Sequence, residues 1–168
     1  MRPQPNEVHP YFFLYIDKVK GEDGIQALEE TEVAVQATFS SLTEEQWSHR
    51  YAPGKWSPKE MLGHLIDSER VFLFRALSAA RGEKQPLPGY EQDDYVLTSG
   101  HHERTGASLL EERKLVRASG LILFRTMTET QLHTMGTANN APVNANAILF
   151  LTAGHDLHHL EVLKERYL

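Results

Sequence analysis

The sequence predicts an all-α protein, a four-helix bundle, from three observations. Helix start signals recur along the chain, the segments behind them carry apolar residues at helical spacing, and no segment sustains the period-two alternation of a strand. Four amphipathic helices of similar length bury their apolar faces most simply against one another.

Residues 1–22 stand apart as an N-terminal segment. Its run Tyr11-Phe12-Phe13-Leu14-Tyr15 is expected to pack on the bundle or on a partner subunit. The bundle domain then covers 23–168. Asp23 or Gly24 opens a helix over 23–41 whose inward series is Ile25, Leu28, Glu32, Val35 and Phe39, with Glu32 read as lying at a solvated bundle end. Ser57-Pro58-Lys59-Glu60 is a capping box with proline at the first helical position, and it opens a helix over 57–81. Gly82 and the cluster Pro86-Leu87-Pro88-Gly89 end that helix. Ser108-Leu109-Leu110-Glu111 reads as a second box, for a helix over 107–130. Pro142, followed by Asn144, starts the last helix over 143–167. The loop between Gly82 and Ala107 carries Tyr90, Asp93, Asp94, Tyr95, His101 and His102, and serves either function or a crossover. Two connections, Ser41 to Trp47 and Thr126 to Leu132, share the pattern Thr-Glu-x-Gln, as a duplicated helical hairpin would.

Composition narrows the function. A chain of 168 residues fits one domain with a proper core, and 40% hydrophobic with 24% charged residues is the mix of a soluble globular protein. A net charge of −6 without a Lys/Arg cluster repels phosphates and argues against nucleic acid as a partner. The longest nearly uncharged apolar stretch, Ala145 to Gly154, is too short to span a membrane. Cysteine is absent, so no disulfide, thiolate metal site or cysteine nucleophile is available. No apolar signal core follows Met1-Arg2, and the expected location is the cytoplasm.

The chemistry concentrates in Gly154-His155-Asp156-Leu157-His158-His159. Positions i and i+4 share a helix face, so His155 and His159 fall on the same stripe as Ile148, Leu151, Thr152 and Val162. Burying two imidazoles without a shared partner costs several kcal/mol, roughly, in lost hydration. Convergent neutral imidazoles are borderline-soft donors suited to zinc, nickel, copper or iron. His158 lies about 60° from His155 and suits a supporting role. The candidate for a third donor is His64, in Gly63-His64-Leu65-Ile66-Asp67, where Gly63 permits close approach and Asp67 could orient an imidazole or sit at the site mouth. Asp156, Asp67 and His158 are the available supporting or proton-accepting groups, and no residue is assigned as catalytic. His9, His49, His101, His102 and His133 lack partners at helical spacing and are read as non-ligands.

These pieces resemble the DinB-like (DinB/YfiT) superfamily. The matching stretches run from Gly54-Lys55-Trp56-Ser57 through His64-Leu65-Ile66-Asp67-Ser68-Glu69, and from Ala153-Gly154-His155 to His159-Leu160. The resemblance implies an up-down-down-up four-helix bundle, often a homodimer, with a divalent metal (zinc or nickel, manganese also) held by His64, His155 and His159. It also implies thiol S-transfer with bacillithiol, mycothiol or glutathione, the activity of characterised relatives; the alternatives are a metal-dependent hydrolase or a non-enzymatic metal-binding bundle. Arg75, Arg113 and Arg117 are the cations that could meet a carboxylate of such a thiol, though each is read as a solvated surface group.

Overall fold

A computed structural model describes residues 1–168. Four long helices make the bundle, α2 (Gly24–Ser40), α4 (Pro58–Ala80), α6 (Gly106–Arg125) and α8 (Ala145–Arg166). Each is preceded by a short one: α1 (Phe13–Ile16), α3 (Glu44–Ser48), α5 (Gln92–Thr98) and α7 (Glu129–His133). A hairpin of β1 (Gly136–Ala138) and β2 (Ala141–Val143) closes one end, turning on Asn139 and Asn140 with φ of 50° and 58°. Adjacent left-handed asparagines suit the tight two-residue turn that joins such strands.

The helix starts follow local chemistry. Asp23 caps α2 by accepting from the backbone N–H of Ile25 and Gln26. Ser57 and Glu60 form the expected reciprocal box at α4, with Pro58 in its first turn. Asn144 caps α8 through Ala147. The start of α6 is corrected: Thr105, not Ser108, is the cap, and its hydroxyl accepts from the Ser108 N–H. That helix also stops at Arg125, because Thr128 and Gln131 form a box of their own and start α7. Thr43 and Gln46 do the same at α3, so the two similar connections adopt the same local structure.

Cross-helix contacts set the topology. Helix α2 touches α6 and α8, and α4 touches the same two, so α2 and α4 lie on a diagonal. Along the α2–α6 seam Leu28 meets Arg117, Glu32 meets Arg113 and Gln36 meets Leu110, which makes that pair antiparallel. Arg70 pairs with Glu112 while Leu73 abuts Gly120, so α4 and α6 run parallel. Gly24 abuts Leu149 and Phe150 while Thr31 and Leu157 line one groove farther on, so α2 and α8 also run parallel. The result is an up-down-down-up four-helix bundle.

The core is divided. One apolar cluster holds Leu28, Phe72, Ala76, Phe124, Ile148 and Leu151, and the other holds Val35, Phe39, Leu62, Leu65, Leu109 and Leu160. Every long helix crosses from one cluster to the other through polar positions: Thr31 and Glu32, Ser68 and Glu69, Arg113 and Arg117, His155 and Asp156. A buried polar layer therefore cuts the bundle at mid-height. The N-terminal segment packs along α8, where Gly154 leaves room for it: a Cβ there would stand 2.1 Å from the Tyr15 carbonyl oxygen.

Candidate metal centre

The polar layer has two halves, and the first is a cluster of three imidazoles. His64 lies two turns inside α4, whose start is fixed by the Ser57 box and by Arg50 paired with Glu60. His155 and His159 lie one turn apart on α8. Their Nε2 atoms converge, with His155 at 3.2 Å from His64 and 3.2 Å from His159, and all three ligand atoms fall within 4.8 Å of one another. All three rings are buried, at 3%, 8% and 9% exposure in the order His64, His155, His159.

Burial pulls the His64 pKa down to about 4, against a partial opposing effect of Asp67. Burial also takes His155 and His159 well below the usual imidazole range, and the neighbouring imidazoles push the same way. At neutral pH all three are therefore uncharged donors. Three such nitrogens facing one point are frustrated by themselves, since the single ring nitrogen of His155 can satisfy only one of its two neighbours. A cation removes the conflict. Tetrahedral ligation at about 2.0–2.1 Å sets neighbouring nitrogens about 3.3 Å apart, close to the two shorter separations observed. The donor set thus fits a divalent metal.

Aromatic rings hold the imidazoles in place. Trp56, just before the Ser57 cap, lies 4.8 Å from His64 and stacks on His159 at 6.4 Å. Its carbonyl accepts from the Tyr167 hydroxyl. Phe72 and Tyr15 meet His155 edge-on at 5.7 and 5.4 Å. Ser68 Oγ lies 3.4 Å from His64 Nδ1 and 2.9 Å from the Tyr90 hydroxyl. His159 Nδ1 is buried without a partner.

Two clefts reach the cluster. One, about 270 Å³, has His155 in its wall beside Tyr15, Phe72, Arg75 and Tyr90. The other, about 260 Å³, ends on His159 beside Trp56 and Tyr167. Gln92 lines both.

The second half of the layer is ionic. Arg117 forks onto Glu69 with Nε–Oε1 at 2.8 Å and Nη2–Oε2 at 2.9 Å. Asp156 Oδ2 accepts from Arg113 at 2.8 Å and from Arg117 at 2.7 Å. Arg113 Nε donates to Glu32 at 2.9 Å, and its Nη1 lies 3.0 Å from Glu69, in ionic contact but too bent for a hydrogen bond. Burial alone would raise the Asp156 pKa, but Arg113 and Arg117 outweigh it and hold the carboxylate below its usual range.

This arrangement corrects two expectations. Arg113 and Arg117 are not solvated surface groups but are 0% and 1% exposed, and Glu32 is the partner of Arg113 rather than a residue of a solvated bundle end. They stand on the inward stripe of α6, Leu109-Arg113-Arg117-Gly120-Phe124, and that spacing was the available signal. Arg75 is also buried.

The supporting candidates separate. Asp156 is held by two guanidiniums. Asp67 bonds to His101 Nε2 at 2.9 Å and lies 3.5 Å from Arg70. His158 is half-buried, edge-on to Tyr15 at 5.2 Å and to His159 at 5.1 Å. His101 is buried against Gly63, where a Cβ would stand 2.1 Å from its ring, and so backs the turn that carries His64. Its place in a loop hid this role.

Sequence and fold comparisons agree with the geometry. A protein of Oceanobacillus iheyensis named as a metal-dependent hydrolase is 22% identical over 131 residues, 76% of this chain and 73% of that one. YfiT from Bacillus subtilis, described as a metal-dependent hydrolase with an unusual four-helix-bundle topology, superposes with a TM-score of 0.76 at 19% identity. That match covers 98% of this chain and 90% of YfiT, and it shows a shared fold. Both hydrolase designations are presented as inferences for those proteins. The DinB superfamily pattern matches residues 27–163, from the first turn of α2 to the last of α8 and through all three convergent imidazoles; the chain belongs to the DinB superfamily.

Proposed function

We propose that His64, His155 and His159 hold a divalent ion, zinc or nickel, and that the protein transfers a low-molecular-weight thiol to an electrophilic small molecule. The observation that carries this reading is the convergence of three buried, uncharged Nε2 atoms beside two clefts. Bound there, such an ion would act as a Lewis acid and lower the proton affinity of a thiol or a water molecule.

What the chain itself supplies favours the thiol. Hydrolysis wants a general base, and the nearest carboxylates are engaged, Asp156 by Arg113 and Arg117 and Asp67 by His101. A thiol of ordinary pKa near 8.5 is already close to ionisation and needs less help. Phe72, Tyr15 and Trp56 pack against the imidazoles and leave access through the two clefts. Tyr90 and Ser68 fix the His64 ring from behind. A cytoplasmic homodimer belongs to the same reading, since such thiols stay reduced in the cytosol. The structure has no helix long and apolar enough to cross a membrane.

Metal-dependent hydrolysis is the second reading, favoured by the designations of the two relatives. Natively purified protein should carry about one divalent ion per chain by elemental analysis, and His155→Ala should lose it. The loaded protein is then given bacillithiol, mycothiol or glutathione with an aromatic halide, and separately an ester panel without thiol. Thiol-dependent product supports the first reading, and ester turnover alone replaces it with the second. A His155→Ala protein that keeps its metal would remove both.

A further inference from the structure

Three arginines are buried in this protein, and two are neutralised. Arg113 and Arg117 sit among Glu32, Glu69 and Asp156. Arg75, on α4, is 7% exposed and has no carboxylate within ion-pair distance. Its only protein hydrogen bond runs from Nη2 to the Pro88 carbonyl at 3.0 Å, and its guanidinium lies 5.7 Å from the Tyr90 ring centre. Nε and Nη1 have no protein partner, yet they are not sealed from solvent. A largely buried cation without a counter-ion gains most from an anion that reaches its open N–H groups.

The surroundings define the space open to those N–H groups. Arg75 lines the cleft that ends on His155 and also a second cleft of about 270 Å³ that runs beneath the β1–β2 hairpin. Tyr11, Phe12, Asn139 and Leu151 line both, so the two form one groove with the guanidinium at its middle. The groove walls are largely aromatic and aliphatic. Tyr90 links the guanidinium to the imidazole cluster, since its ring faces Arg75 and its hydroxyl bonds Ser68, which faces His64.

We infer that Arg75 is a substrate-anchoring residue and that the groove binds a small molecule with a carboxylate at Arg75 and an apolar body directed toward His155. Four of its five N–H groups are free, and the Nη2 hydrogen not taken by Pro88 forms, with Nε or with Nη1, the parallel pair that matches the two oxygens of a carboxylate. A phosphate dianion fits less well, because only one cation is present and Glu91 lines the same cleft. The anchoring claim stands without a metal. Only the claim that the anchored molecule reacts rests on the function proposed above.

The test uses the full chain, freed of metal with a chelator, and 4-fluorobenzoate followed by fluorine NMR. Its neutral counterpart 4-fluorobenzyl alcohol and inorganic phosphate are the comparison arms. The carboxylate should bind at least about tenfold tighter than the alcohol, about 1.4 kcal/mol. Arg75→Met should weaken carboxylate binding by about tenfold or more and leave the alcohol unchanged, while Arg75→Lys retains part of the preference. Equal binding of carboxylate and alcohol by the unaltered protein would overturn the inference, whatever the variants do. Phosphate bound more tightly than 4-fluorobenzoate would overturn the carboxylate assignment. Metal content, measured on separate untreated samples, reports on the imidazoles alone, so failure there leaves the anchor intact and the reverse also holds.

Discussion

Asp156→Asn separates a structural from a chemical role for the acid that follows His155. Asp156 Oδ2 accepts two charge-assisted bonds, at 2.8 Å from Arg113 and 2.7 Å from Arg117, in a layer where all three side chains are at most 1% exposed. Each such bond is worth about 1.5–3 kcal/mol net. The amide oxygen of asparagine keeps a weaker version of one or both, which halves the loss. The charge balance also shifts, from three carboxylates against two guanidiniums to two against two. Glu69 stays on both arginines, so neither is stranded, and the cost falls below the ~3–5 kcal/mol of an uncompensated buried charge. The expected destabilisation is about 2 kcal/mol, or about 4–8 °C in Tm for a chain of this size. Urea and thermal melts of the metal-free variant measure it, and metal stoichiometry at neutral pH should not change. Unaltered stability combined with lost turnover would refute the argument and make Asp156 a participant in the chemistry.

Acid should unfold the metal-free protein early. A base whose folded pKa is depressed gives stability that is complete above its unfolded value and is lost as pH falls toward the folded one. For His64 the window runs from 6.5 down to about 4 and is worth about 3 kcal/mol across its whole width, with His155 and His159 adding in the same direction. Urea midpoints measured from pH 7 to pH 4 in chelator should fall steadily, and a flat profile would contradict the buried neutral cluster. Gly154→Ala places a methyl 2.1 Å from the Tyr15 carbonyl oxygen and 2.4 Å from its carbonyl carbon, backbone atoms that no rotamer change can move. It should cost about 1–3 kcal/mol and raise amide exchange across α1, with unchanged exchange counting against the close packing.

Much of this was legible in the chain. Ser57-Pro58-Lys59-Glu60 marked the start of α4 because its box is made within four residues, and His155 and His159 shared a face because helical spacing is local. The same box set His64 inside α4, and the fold brings its ring to His155. What stayed hidden depended on distant partners. Arg113 reads as a surface cation until Glu32, Glu69 and Asp156, from three other helices, surround it. His101 lies in a single 3-10 turn, too short for periodicity, and distant residues of α4, Gly63 and Asp67, give it a seat. The hairpin strands are three residues each, too short for alternation to register, although Asn139-Asn140 was a usable turn signal.

His64 and His155 are 91 positions apart, and both meet His159 near the far end of the chain. A cation gripped there would act as a staple across much of the polypeptide, subtracting loop-closure entropy from the denatured ensemble as a long-range crosslink does. It also imposes a timetable. During synthesis the ribosome delivers α4 long before α8, so a chain emerging in order can mature its centre only after the last helix has docked.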